Sequence, residues 1–216
     1  TTTSYSHNQT PNDTTLIIPL NPDNDWFIAE NWTCNILPDS TWDVIIPSNP
    51  IGGDTIFPVI DRSGGTSTFI AQCKNITIEN GAKLTITNND TTDTQDNPRW
   101  NDASILQVYG DWHNQNTTEL VLGEGEVSFR GDTAFQYIYG PNRWGNLEMR
   151  NDSGLIIDST YMQNLTGIFY QTKGTLHTNN KLTLISDNTK TALIDGGDRD
   201  ESPLSDNNIV GNITVQ

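Results

Sequence analysis

Residues 68–86, TFIAQCKNITIENGAKLTI, hold two short alternating apolar–polar runs on either side of Asn80-Gly81. Alternation with a period of two predicts β-strands, here over KNITIE (74–79) and AKLTIT (82–87). An Asn-Gly pair between two such runs is a strong signal for an antiparallel hairpin. A parallel β-helix also uses Gly and Asn at its corners, where a left-handed backbone is required. The pattern rules therefore favour antiparallel pairing at this point but do not decide between the two architectures.

Similar strand-like runs recur along the whole chain, and no window shows sustained helical periodicity. The sequence predicts an all-β fold, either a parallel β-helix or an antiparallel β-sandwich. The remaining runs are DVIIP (43–47), FPVID (57–61), ILQVYG (105–110), ELVLG (119–123), EVSFRG (126–131), FQYIYG (135–140), NLEMRN (146–151), GLIIDS (154–159), GTLHT (174–178), KLTLIS (181–186) and NITVQ (212–216). Residues 16–18 are a candidate first strand.

Composition and charge narrow the classes of partner. Hydrophobic residues make up 33% of the 216 residues, and the formal net charge is −16. Nucleic acids and anionic membranes are disfavoured as partners, because phosphates are neutralised by Lys and Arg. No run reaches the roughly 18 apolar residues that a membrane-spanning helix needs, so we do not expect a membrane-embedded protein.

Four stretches resemble the opening of a module found in secreted surface proteins of Bacteroidetes. They are DWFIAENWTC (25–34), LPDSTWDVIIPSNP (37–50), FPVI (57–60) and CKNITIENGAKLTI (73–86). The stretches EVSFRGDTAFQYIYG (126–140), RWGNLEMRNDSGLIID (143–158) and GTLHTNNKLTLISDNTKTALID (174–195) are similar to its following coils. The closing GNITVQ (211–216) is similar to the strand that leads out of such modules.

The resemblance implies a right-handed parallel β-helix with an N-terminal cap, which would make Asn80-Gly81 a corner. The resemblance covers one module at 26–216, with the cap over about 26–73. Residues 1–25 precede it and are predicted from their own polar sequence to be a lead-in or linker. The resemblance also implies export by the type IX secretion route to the cell surface, outside the outer membrane. Members of this family are often segments of large adhesins, including gliding-type adhesins, so the resemblance implies an adhesin-like segment. We expect the chain to be a piece of a longer protein.

Cys34 and Cys73 allow one disulfide in an oxidising compartment, or two buried thiols in a reducing one. We favour the disulfide, and the resemblance implies that it ties the cap to the first full coil. The triplet Asp-Ser/Thr-apolar/Thr resembles the O-glycosylation site of exported Bacteroidetes proteins, although Asp-Thr is also common in turns. The candidate hydroxyl residues are Thr14, Ser40, Thr55, Thr91, Thr133 and Ser159.

Calcium is the one cofactor that the sequence suggests. Asp195, Asp198, Asp200, Glu201 and Asp206 crowd the long loop 195–208, and carboxylates at short spacing suit Ca²⁺. A second small group is Asp23, Asn24 and Asp25. We favour a solvated acidic loop over a calcium site, because the sequence contains neither an EF-hand loop nor a nonapeptide repeat.

Exposed tryptophans would provide a surface for sugars, whose rings stack on aromatic faces. Trp100 in the long loop 88–104 is the best candidate for carbohydrate contact, while Trp112 and Trp144 fit either sugar contact or core packing. We expect the cap tryptophans Trp26, Trp32 and Trp42 to pack internally.

The sequence favours a non-enzymatic role. His7, His113 and His177 are scattered, which disfavours a zinc site or a Ser-His-Asp triad. We expect an extracellular structural or adhesive module, a rigid spacer or filament segment, whose partners are neighbouring modules or copies of itself, and glycans. The alternatives are a calcium-assisted carbohydrate-binding module and, less favoured, a polysaccharide-degrading enzyme.

Overall fold

The structure is a computed structural model that describes residues 14–16, 24–33, 35–48, 56–61, 70–87, 104–188, 190–195 and 208–216. It consists of short strands and one 3₁₀ turn, Ala29–Asn31. Within these residues, no helix has the length and apolar character needed to cross a membrane.

The strands form three parallel sheets and one short pair. Sheet 1 contains, in spatial order, β1 (Thr14–Leu16), β2 (Asp43–Ile46), β5 (Ile76–Ile78), β8 (Trp112–Asn114), β11 (Gln136–Tyr139), β14 (Leu155–Ile157), β17 (Thr175–His177) and β20 (Asn208–Val210). Sheet 2 contains β4 (Ala71–Cys73), β7 (Ile105–Val108), β10 (Glu126–Phe129), β13 (Asn146–Arg150), β16 (Ile168–Lys173) and β19 (Leu193–Asp195). Sheet 3 contains β9 (Leu120–Val121), β12 (Asn142–Trp144), β15 (Gln163–Leu165), β18 (Leu182–Leu184) and β21 (Ile213–Val215). The pair is β3 (Val59–Ile60) with β6 (Thr85–Ile86).

The chain visits sheets 2, 1 and 3 in turn and then returns to sheet 2 one coil further along. Thus β10, β11 and β12 form one coil, and β13, β14 and β15 form the next, with parallel pairing at all three faces. Every strand-to-strand pairing among the described residues is parallel. The fold is therefore a parallel β-helix, and the β-sandwich alternative is wrong.

The Asn80-Gly81 pair is a corner between two faces. β5 pairs with β2 and β8, whereas β6 pairs with β3, so the two strands beside Asn80-Gly81 do not pair with each other. Gly81 has φ +93°, which is the left-handed conformation that a non-glycine residue adopts at a cost. Its backbone N–H donates to Asn116 Oδ1 at 2.7 Å. A side chain one coil away thus holds the corner.

From β2 onward, alternate residues of the strands point into the core. In β2, Val44 and Ile46 are buried while Asp43 and Ile45 are partly exposed, and β5 repeats this pattern. Successive coils stack these apolar side chains into one continuous cluster, which burial stabilises by about 25 cal/mol per Å² of apolar surface.

The interior also contains a ladder of buried amides at the corner between sheets 1 and 3. Asn142 Oδ1 accepts from Trp112 Nε1 at 3.0 Å and from Asn114 Nδ2 at 3.2 Å. Its Nδ2 donates to Gln163 Oε1 at 2.9 Å, and Gln163 Oε1 also accepts from Trp144 Nε1 at 3.1 Å. We call Asn114, Asn142 and Gln163 the amide ladder; it links three consecutive coils and satisfies both indole N–H groups.

The outer face of sheet 2 is shielded from solvent, unlike that of sheet 1. Gln107, Ser128 and Glu148 share one register column on the side opposite the core, yet each is 5% exposed or less. Glu148 Oε2 lies 3.3 Å from Arg130 Nη2 and accepts from Ser128 Oγ, while Oε1 accepts from Thr172 Oγ1 at 3.0 Å. The charge of Glu148 is thus paired and hydrogen-bonded, as a buried charge requires.

Residues 24–26 lie beside β3, on the edge that does not pair with β6. Val59 N–H donates to the carbonyl of Asn24, and Trp26 N–H donates to the carbonyl of Val59. Trp26 and Trp32 are each 1% exposed, with ring centroids 4.7 Å apart, whereas Trp42 is only half-buried. Internal packing is therefore confirmed for Trp26 and Trp32 and holds in part for Trp42.

Candidate functional site

Aromatic side chains line the outer face of sheet 1 at its centre. His113 and Tyr139 are register partners on β8 and β11, and their rings stack with centroids 4.5 Å apart at 18°. Tyr137 and Tyr139 lie on the same side of β11, with centroids 5.8 Å apart and planes at 15°. The three rings are therefore close to parallel and form an aromatic stack, which begins on β8 at His113.

A row of short polar side chains runs beside this stack, where the chain turns from sheet 2 into sheet 1. Asn75 Nδ2 donates to Asp43 Oδ1 at 2.7 Å, and Asp111 N–H donates to Asn75 Oδ1 at 2.7 Å. Tyr137 N–H in turn donates to Asp111 Oδ1 at 2.9 Å. Each side chain thus accepts a backbone or amide N–H from the next coil, which fixes both carboxylates in place.

Gly110 lets this row form. A Cβ on Gly110 would lie 2.1 Å from Asn75 Oδ1, far inside van der Waals contact. A side chain there would push Asn75 away from the N–H of Asp111. The glycine is therefore a condition for the position of the Asp111 carboxylate.

A depression of about 290 Å³ opens where the row meets the beginning of the stack. Its lining consists of Asp43, Val44, Ile45, Asn75, Thr77, Asp111 and His113. Asp111 Oδ2 lies 3.9 Å from His113 Nε2, and their side chains are 34% and 41% exposed. Thr77 is the register partner of both Ile45 and His113, so the depression continues the column of the stack toward the N-terminal coils.

The local field is negative. The pKa of Tyr139 is raised, first because partial burial disfavours its phenolate and then because Asp111, Tyr137 and Asp158 repel that charge. Among the described residues, only Oδ1 of each depression carboxylate accepts a hydrogen bond from the protein. The depression thus offers carboxylate acceptors, a hydroxyl, an imidazole and an aliphatic wall to a small ligand.

The structure corrects two of the three carbohydrate-contact candidates. Trp112 and Trp144 are 0% exposed, their ring centroids are 4.9 Å apart, and both indole N–H groups donate to the amide ladder. Neither ring can present a face to a sugar, because both point into the core. Trp100 lies outside the described residues and stays a prediction.

Cys73 is fully buried in β4 and carries a free thiol. Burial, followed by the nearby charge of Asp43, raises the pKa of this thiol and so disfavours the thiolate. Cys34 lies outside the described residues, so the Cys34–Cys73 disulfide stays a prediction.

The candidate calcium residues fall almost entirely outside the described part. Asp195 ends β19, whereas Asp198, Asp200, Glu201 and Asp206 lie beyond the described ranges, as does Asp23. Asp25 Oδ1 accepts from the N–H of Phe27 at 2.9 Å. Within the described ranges, His, Cys, Asp and Glu residues form no group of three or more that could hold a metal ion.

The glycosylation candidates differ in accessibility. Thr133 and Ser159 are exposed and Ser40 is partly exposed, so their hydroxyls are open to modification. Thr55, Thr91 and the side chain of Thr14 lie outside the described residues. Modification at all six positions stays a prediction.

The sequence reasoning missed His113, Tyr137 and Tyr139 as neighbours. These residues lie on different coils, and the coils differ in length. Asp43, Asn75 and Asp111, which occupy equivalent places on successive coils, are 32 and 36 residues apart. Coils of unequal length give no fixed period that would align these residues by inspection.

Comparisons with family models, with curated proteins and with solved structures find no match for this chain.

Proposed function

We propose that the chain is a non-enzymatic structural or adhesive module of an exported surface protein, and that it serves as a rigid spacer. The observation that carries this proposal is the uninterrupted stacking of coils, with parallel pairing on all three faces from β7 to β21. In a solenoid of this kind each coil stacks on the one before it, so the length of the body grows with the number of coils and its axis keeps a defined direction.

Stiffness follows from how neighbouring coils are joined. Each coil hydrogen-bonds to the next through three separate strands, so bending at any one face strains the other two. The amide ladder adds directional bonds inside the same coils. The eight strands of sheet 1, at about 4.8 Å per step, give a body roughly 34 Å long.

The location and partners are part of the proposal. The resemblance in sequence supports export by the type IX route and a position outside the outer membrane. The formal net charge of −16 supports partners other than nucleic acid. Neighbouring modules of the same protein, or copies of it, are the partners that a spacer requires.

Spin-label distance measurements test the rigidity. Labels at Thr85→Cys and Thr214→Cys, both exposed, sit on β6 and β21, with Cys34→Ser present and the buried Cys73 left unlabelled. We expect one narrow distance distribution. The matched pair Val121→Cys and Thr214→Cys starts one coil later, on β9, and its mean distance should be shorter by about 5 Å. A broad distribution for either pair contradicts a rigid spacer.

Two further measurements address the location and the absence of catalysis. Protease added to intact source cells should release peptides of this chain, and full protection would contradict a surface location. Release of reducing ends from a panel of polysaccharides would contradict the non-enzymatic role.

A further inference from the structure

The depression on sheet 1 has the chemistry of a site for one planar cation. We propose that it binds the guanidinium group of an arginine side chain from a partner polypeptide. This inference does not depend on the spacer role, because it rests on the side chains of one face only.

Charge is the first argument. Asp43 and Asp111 line the depression, and both are held by hydrogen bonds through Oδ1, which leaves Oδ2 of each able to accept from a ligand. Among the described residues that line the depression there is no Lys or Arg, and His113 is the one basic side chain. A carboxylate pairs with guanidinium through charge-assisted hydrogen bonds, which are about twice as strong as neutral ones.

Shape is the second argument. The imidazole of His113 begins the aromatic stack, with Tyr139 on one of its faces and the Thr77 position as its register neighbour on the other side. A guanidinium is flat and stacks on aromatic rings, so it can continue the stack toward Thr77. An ammonium group lacks this flat face, which favours arginine over lysine.

Size and wall chemistry are the third argument. About 290 Å³ accommodates the end of one side chain, and Ile45 supplies an aliphatic surface for the methylene stem of arginine. A sugar would also find acceptors here, but it would leave the two carboxylate charges uncompensated on a chain of net charge −16. The observations therefore favour the cation.

The test is an NMR titration of the full chain at low salt and pH 8, which follows the ring signals of His113 and Tyr139. The probes are Nα-acetyl-arginine amide and its uncharged analogue Nα-acetyl-citrulline amide, together with a neutral methyl glucoside. We expect saturable shifts with the arginine probe only, and these should weaken as salt is added, since salt screens partly exposed charges.

Two variants remove the charges without removing the acceptors that hold the coil. Asp43→Asn and Asp111→Asn each keep an Oδ1 for the neighbouring N–H, and each should weaken arginine binding about tenfold. Asp132→Asn is the matched control, because Asp132 is exposed and lies outside the lining.

Four outcomes would overturn the proposal. They are shifts that grow linearly without saturation, an equal response to citrulline, an equal response to the glucoside, and equal weakening by Asp132→Asn. If a lining variant fails to fold, the contrast between arginine and citrulline on the unaltered protein still decides the question.

Discussion

One interior position changes its chemistry between the first coils and the middle ones. On sheet 1, Ile46, Ile78 and Asn114 are successive register partners, and Gly140 follows when the register of β8 and β11 is continued. The early coils fill this position with aliphatic carbon. The middle coils fill it with an amide and then with a glycine, beside which Asn142 lies.

The difference teaches how register is held. Apolar packing is non-directional, so the buried isoleucines do not themselves fix the register of the early coils. There the directed bonds lie on the outer side, in the row of Asp43, Asn75 and Asp111. The amide ladder joins Asn114, Asn142 and Gln163 through directed bonds, and a slip would leave buried donors without acceptors at about 1–3 kcal/mol each. We therefore expect the interior of the early coils to contribute stability through burial, and the interior of the middle coils to contribute both burial and a fixed register.

The largest effect should come from the corner glycines. Gly140 has φ +79°, and a Cβ there would lie 1.9 Å from the carbonyl oxygen of Asn114, so Gly140→Ala should destabilise by about 3–5 kcal/mol in urea unfolding. Gly81 has φ +93° but open space around its Cβ position, so Gly81→Ala should cost only about 1–2 kcal/mol. Equal losses would show that clash at the middle corner is relieved by movement of the backbone.

The next effect should come from the ladder itself. Asn142→Ala leaves the N–H of Trp112 without its acceptor and opens a cavity, at a cost of about 2–4 kcal/mol. In a double-mutant cycle, the combined loss should be smaller than the sum of the losses of Asn142→Ala and Trp112→Phe, because Trp112→Phe removes the orphaned donor. Strict additivity in urea unfolding would contradict a role for this hydrogen bond.

A smaller effect is expected in the aliphatic coils. Ile78→Val at a fully buried position removes one methylene and should cost about 0.5–1.5 kcal/mol. Hydrogen exchange should show the loss spread over β2 and β5 and little changed in β11. A loss above that of Asn142→Ala would reverse the ranking of the two regions.

The smallest effect concerns the outer face. Because burial and Asp111 raise the pKa of Tyr139, the folded state holds the phenol proton more tightly than the unfolded state. The resulting stability is present below the ordinary tyrosine pKa of about 10 and is lost as pH rises through the folded value. Ultraviolet titration of Asp111→Asn should show Tyr139 ionising at lower pH than in the unaltered protein. An unchanged curve would mean that Asp111 does not contribute.

Some of the fold could be predicted because short-range sequence patterns determine it. β5 (ITI) and β10 (EVSF) alternate apolar and polar residues, and β2 (DVII) and β14 (LII) are short apolar runs, which are both typical of strands. Asn80-Gly81 marks a turn by its backbone preference, whereas its assignment as a corner came from the resemblance. Several strands escaped prediction, among them β8 (WHN), β12 (NRW) and β15 (QNL), whose inward residues are amides or tryptophans. Buried Asn and Gln resemble loop residues until the coil that satisfies them is known.

The candidate site was beyond prediction for a different reason. The row of Asp43, Asn75 and Asp111 exists only because three coils of different length bring these residues into one column. Trp112 and Trp144 were ambiguous in sequence because an indole serves equally at a surface or in a core, and only their amide partners decide it.

The shielded outer face of sheet 2 makes the β-helix two-sided, with the open face of sheet 1 as its front and the face of sheet 2 as its back. Glu148 is enclosed among Arg130, Ser128 and Thr172, so its carboxylate is already paired within that face. If several such bodies were joined end to end, the twist between them would decide whether their open fronts line up along one stripe or wind around the filament.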